Sequence, residues 1–173
     1  ARPFYTEIAH HYADVRQFDL AEKYFIKSGS YIEAFEMYVL ANKWEQAYKL
    51  ISRYLPESEY TMLYIKEAQK FEREQRFKDA EKMYLTANEP DLAINMYKNA
   101  EQYDQMVRLV AKYWKDLLKD THIHLAQTLE TNGNLKQAEH HYIEADLWLN
   151  AVEMYKVYEM WDDSIWVAKA HGN

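Results

Sequence analysis

The chain has 173 residues, 49% hydrophobic and 28% charged, enough to bury the core of one domain or of a short repeat array. Three Gly and three Pro are too few for the turns of a sheet protein this size, and without Cys there can be no disulfide and no thiolate zinc site. A net charge of −7 argues against a phosphate-neutralising nucleic-acid face, and no apolar run approaches the roughly 18–20 residues of a membrane span.

In chain order, the apolar periodicity predicts about twelve helices in three groups of four. The first group covers about 4–16, 19–28, 31–41 and 44–54. The second covers about 60–75, 77–87, 90–100 and 103–113, and the third about 120–132, 135–145, 148–158 and 161–170. The start, ARPFYTEIAHHY, has no initiator Met and no apolar signal-peptide stretch, and the periodicity runs almost to both ends, so a piece of a longer protein is expected. Pro56 falls as a break between the first two groups. Within helix 77–87, Phe77, Ala80, Tyr84 and Ala87 share one face. Pro90 stands at a first-turn position, where its missing N–H costs nothing. Asp120 and Thr121 read as N-caps, and Gly133 as the left-handed residue that ends a helix.

The groups are copies of one another. Met37, Met96 and Met154 are separated by 59 and 58 residues, and the same offsets relate Tyr38, Tyr97 and Tyr155. They also relate Ala34, Ala93 and Ala151; Ala21, Ala80 and Ala138; Ala9, Ala68 and Ala126; and Trp44, Tyr103 and Trp161. Such long-period self-similarity marks stacked supersecondary units. The expected organisation is a single helical-repeat segment with copies at about 1–58, 59–117 and 118–173. In the first two helices of each copy, a small residue precedes a bulky one, then a small one, an aromatic and a small one. The orders are Ala9, Tyr12, Ala21, Phe25, Ser28; Ala68, Phe71, Ala80, Tyr84, Ala87; and Ala126, Leu129, Ala138, Tyr142, Ala145. This spacing resembles the tetratricopeptide repeat, which implies a right-handed α-solenoid of antiparallel helix pairs. The small residues would let paired helices cross closely while the neighbouring rings fill the groove beside them.

No motif carries chemistry. The seven His residues include no pair at the i,i+3 or i,i+4 spacing a helical metal site needs, and His141, aligned with Tyr24 and Met83, reads as a packing position. Glu22, Glu81 and Glu139 recur once per copy, which fits a structural or solvating role better than acid–base catalysis. There is no Gly-rich phosphate loop. Lys112-Tyr113-Trp114-Lys115 could stack bases, but its acidic surroundings favour an interhelical loop or a protein contact. Trp148, Trp161 and Trp166 crowd the last copy, as core or as the contact surface of a further repeat. The chain is therefore read as a non-enzyme without cofactor or metal, and an RNA-reading helical repeat is disfavoured by its acidity.

The pieces YDQMVRLV, DTHIHLA, QAEHHYIEA, AVEMY and VAKAHG, in order within residues 103–173, are more specific than a general repeat pattern. In them the chain resembles the helical-repeat region of the family of the largest peripheral subunit of intraflagellar transport complex B. That resemblance implies upstream WD-repeat propellers and a long solenoid. It further implies a scaffolding role in the train that motors carry along the axoneme, with other subunits of that complex as partners and the cilium or flagellum and basal body, on the cytoplasmic side, as the location. The alternative is a coat or cargo-adaptor solenoid of a related vesicle-trafficking complex. Open solenoid ends would also allow end-to-end self-association of an isolated fragment.

If the small column sits at the helix crossings, Ala80→Leu should cost about 1–3 kcal/mol through overpacking. Tyr84→Ala should cost about 3–5 kcal/mol by opening a cavity. Thermal melts of both variants indistinguishable from the parent would contradict this assignment.

Overall fold

The structure, a computed structural model, describes residues 2–172, with side chains from residue 4 onward. Among these residues the backbone is all-α, with twelve helices, one 3₁₀ turn and no strand. The helices are α1 (Arg2–Asp14), α2 (Phe18–Lys27), α3 (Tyr31–Leu40), α4 (Trp44–Tyr54), α5 (Glu57–Arg73) and α6 (Phe77–Thr86). There follow α7 (Pro90–Asn99), α8 (Tyr103–Tyr113), α9 (Leu118–Thr131), α10 (Leu135–Glu144), α11 (Trp148–Val157) and α12 (Trp161–His171). The 3₁₀ turn, Lys115–Leu117, precedes α9.

The chain divides into two compact units, residues 1–69 and 70–173, with the division inside α5. In the first unit α1 packs on α2, α2 on α3 and α3 on α4. In the second, each helix from α6 to α12 packs on the next. This nearest-neighbour order is that of a helical repeat, in which each hairpin buries its apolar stripe only against the hairpins beside it. The last core cluster shows the arrangement: Ala126, Leu129, Ala138, Tyr142, Ala151, Met154, Tyr155 and Val167 draw on all four helices of α9–α12.

Helices of ten or eleven residues are marginal alone, so these depend on packing and on tight turns. Nine of the turns are alike. Each places one residue in the left-handed region: Arg16, Gly29, Asn42, Gln75, Asn88, Glu101, Gly133, Asp146 and Glu159. These positions recur with the 59- and 58-residue offsets of the copies. The next residue returns its N–H to a carbonyl inside the finished helix, as Gln17 does to Tyr12 at 2.8 Å and Gln102 to Tyr97 at 2.9 Å. This is the Schellman closure. Gly133 takes this conformation, at φ +84°, as the sequence predicts. The other turns show how a chain with three Gly makes so many reversals: tertiary packing imposes the left-handed conformation on non-glycine residues.

Three helices differ from expectation by two residues or more at an end, and of these α1 runs Arg2–Asp14 rather than 4–16. Helix α5 runs Glu57–Arg73 rather than 60–75, because the Pro56 carbonyl accepts from the N–H groups of Glu59 and Tyr60, both at 3.0 Å, and starts the helix early. Helix α9 begins at Leu118, which places Asp120 and Thr121 inside its first turn rather than at its cap. The Thr121 hydroxyl donates to the Leu117 carbonyl at 2.7 Å instead of accepting a backbone N–H.

A long side chain in the left-handed region is strained where glycine is not. Glu101→Gly should therefore raise stability by about 0.5–1 kcal/mol, while Glu101→Ala, still carrying a Cβ, should not. Urea unfolding midpoints of the two variants check this.

Candidate protein-interaction site

Most residues that recur in sequence lie in the interior, although of the recurring Trp44, Tyr103 and Trp161 the last is exposed. Ala9, Ala21, Ala34, Ala68, Ala80, Ala93, Ala126, Ala138 and Ala151 are all 0% exposed. Phe25, Met37, Tyr38, Phe71, Tyr84, Met96, Tyr97, Tyr142, Met154 and Tyr155 are buried as well. These side chains hold helices together, and of them Phe25 and Met37 also line a surface groove between α1, α2 and α3.

The recurring carboxylates accept hydrogen bonds from the recurring tyrosines. Tyr97 donates its hydroxyl to Glu81 Oε1 and Tyr155 to Glu139 Oε1, both at 2.6 Å. Burial and the facing carboxylate push both phenols well above the usual tyrosine range. Tyr38 rises to about 12, chiefly by burial and then through Glu22 and Asp19. Cations complete the arrangement: the Arg108 guanidinium binds Glu81, and Arg53 lies 3.7 Å from Glu22. A second set joins the helices of a hairpin, with Tyr84 donating to Glu72 at 2.8 Å and Tyr142 to Glu130 at 2.9 Å. Sequence reading had the Glu column but not its partners. The constant spacing of 16 residues from Glu22, Glu81 and Glu139 to Tyr38, Tyr97 and Tyr155 was the available signal.

His141 is buried, and so is His122, one of the seven His residues whose spacing argues against a helical metal site. Their Nδ1 atoms lie 2.9 Å apart, so one neutral ring donates to the other. By the repeat offsets the pair replaces Tyr5 and Tyr24, which stack at 6.0 Å between α1 and α2. Burial lowers the His122 pKa, with Glu144 opposing and His140 reinforcing. His141 falls to about 4, through burial first and then His122 and His140, against Asp104 and Glu144. The two His are 19 residues apart, a spacing no single-helix rule would connect. Among the described residues no group of three or more His, Cys, Asp or Glu is placed to hold a metal ion.

What the fold presents outward is apolar and aromatic at its last two helices. Leu149, Val157, Tyr158, Trp161, Ile165 and Trp166 are all exposed, Trp166 at 73%. Trp148 is half-buried against the last core cluster, and its indole lies over Gly172, where an added Cβ would meet the ring at 2.7 Å. Trp114 sits at the end of α8, where with Met106, Val110 and Leu117 it lines a shallow groove of about 420 Å³. The segment around it is thus the connection between α8 and α9. Clustered aromatic and aliphatic surface of this kind is what protein–protein contacts use.

Nearest-neighbour helix packing, nine like turns and an aromatic outer surface define a tetratricopeptide-like helical-repeat segment. No protein-family model matches the chain. Individual proteins do. The chain is 45% identical over 172 residues to the intraflagellar transport protein 172 homolog of Danio rerio, covering 99% of the chain and 10% of that protein. It is 42% identical over 174 residues to intraflagellar transport protein 172 of Chlamydomonas reinhardtii, again 99% and 10%. It is 34% identical over 169 residues to intraflagellar transport protein osm-1 of Caenorhabditis elegans, 98% and 10%. The chain thus spans about a tenth of the length of these curated relatives, and over that stretch it belongs with the intraflagellar transport protein 172 family.

The buried His pair makes stability pH-dependent. Unfolded His takes up a proton near 6.5, whereas folded His141 does so only near 4, so acid favours the unfolded chain across that interval. Stability should fall as pH drops from about 6.5 toward 4. His122→Tyr with His141→Met, the residues of the second copy, should lessen that fall. Urea unfolding of both proteins at a series of pH values measures the difference.

Proposed function

We propose that this segment is a non-catalytic scaffold of the intraflagellar transport train, making protein–protein contacts with other train subunits needed to build and maintain cilia. The observation that carries the reading is the 45% identity, over 99% of the chain, to a protein named for intraflagellar transport. The fold supports it. Within each unit short helices pack on their sequence neighbours and leave their outer faces for partners. No helix among the described residues is long and apolar enough to cross a membrane. The place of action on this reading is the cilium or flagellum and its basal body, on the cytoplasmic side. In the second and third copies Tyr–Glu pairs and close alanine packing fill the interior, so partners would engage the exposed rings of α11 and α12 and the outer helix faces.

Affinity purification of the tagged full-length parent from ciliated cells, followed by mass spectrometry, tests this. Recovery of intraflagellar transport subunits is the expected result. Recovery of Golgi or endosomal coat subunits in their place would assign the same helical repeat to a vesicle coat and overturn the ciliary reading.

A further inference from the structure

At one point inside the first hairpin the first copy departs from the other two. In the second copy Tyr84 donates to Glu72, and in the third Tyr142 donates to Glu130, so in both a carboxylate and a phenol fill the space between the paired helices. The repeat offsets map these pairs onto Phe25 and Ala13 of the first copy. Phe25 has no hydroxyl to give, and Ala13 has no carboxylate to receive it. A groove of about 680 Å³ lies here between α1, α2 and α3, with Ala13, Phe25 and Met37 among its lining. Leu40, also lining it, is 59% exposed.

The charge around this groove is predominantly negative. Asp14, Glu33 and Glu36 border it, against Arg16 and His10. His10 is 3.3 Å from Glu33 and meets the Phe25 ring edge-on, and the Arg16 guanidinium lies over the Phe18 ring at 5.3 Å. An apolar floor beneath an acidic rim selects an apolar side chain carried between cationic neighbours.

We infer that the α1–α2–α3 groove, where Ala13 and Phe25 stand in place of the Glu–Tyr pair of the other copies, docks a short peptide segment of a partner protein. Its bulky aliphatic or aromatic side chain is flanked by Lys or Arg. The inference deepens the scaffold reading and rests on it for the identity of the machine, but not for the chemistry of the groove. The two can fail separately: purification can recover the wrong complex while the groove still binds, or the right one while it does not.

The test is fluorescence anisotropy with a set of labelled synthetic peptides. Each has a central Leu or Phe flanked by Lys and Arg, by Ser, or by Glu, and each is titrated against this chain and against the full-length parent. Basic-flanked peptides should bind at least about tenfold more tightly than acidic-flanked ones, and the preference should shrink with added salt. Ala13→Glu with Phe25→Tyr restores the pair that folds in the other copies. It should keep the helical circular dichroism spectrum and lose peptide binding by about tenfold or more. Glu33→Lys with Glu36→Lys, on the exposed rim, should reverse the flank preference even if the interior variant misfolds. No binding by any peptide, no flank preference, or undiminished binding by the folded Glu–Tyr variant would each overturn the proposal. Binding by this chain but not by the parent would assign the groove to the parent's own polypeptide and overturn the partner assignment.

Discussion

The structure depends on how closely two short helices can approach. The nine alanines that recur through the copies have no exposed surface, and a larger side chain in their place would hold the packed helices apart. Close approach leaves a groove beside each alanine, which an aromatic ring fills. The ring brings a phenol into the interior, and the phenol needs an acceptor, which the recurring Glu supplies. The approach also fixes where each chain reversal must fall, and the backbone meets that demand with a left-handed residue whatever its side chain. Alanine column, ring, carboxylate and turn thus form one linked solution, repeated along the chain.

That linkage explains what could be read from sequence. The alanine and tyrosine columns were legible because a position that tolerates one size of side chain repeats that size at a fixed offset. The helix pairing followed from them. The turn at Gly133 was legible, but those at Arg16, Gln75, Glu101 and Glu159 were not, because these residues carry no local preference for positive φ and adopt it under tertiary constraint. The starts of α5 and α9 were missed for a related reason: a backbone carbonyl of Pro56 and the 3₁₀ turn at Lys115–Leu117 open these helices, and neither has a side-chain signature. The His122–His141 contact was invisible to rules that look along one helix, since its members sit on α9 and α10.

Once the common unit is known, departures from it become informative. The third copy replaces a tyrosine stack with a neutral His pair and carries exposed Trp161 and Trp166 on its last helix. The first copy omits a Glu–Tyr pair and has a groove there instead. Neither departure is needed to build the fold, since the second copy folds without it. A scaffold made of near-identical units must differ somewhere if its partners are to be told apart, and these are the places where it does.

The most direct measurement is site-specific photo-crosslinking in ciliated cells, with a photoreactive amino acid placed in the full-length parent at Leu40, at Trp166 or at the buried Ala80. The account predicts that Leu40 and Trp166 crosslink to other intraflagellar transport subunits or, at Trp166, to adjoining repeats, while the Ala80 site yields only contacts within its own hairpin. Crosslinks to partner proteins from the alanine column, or none from either surface position in assembled trains, would contradict it.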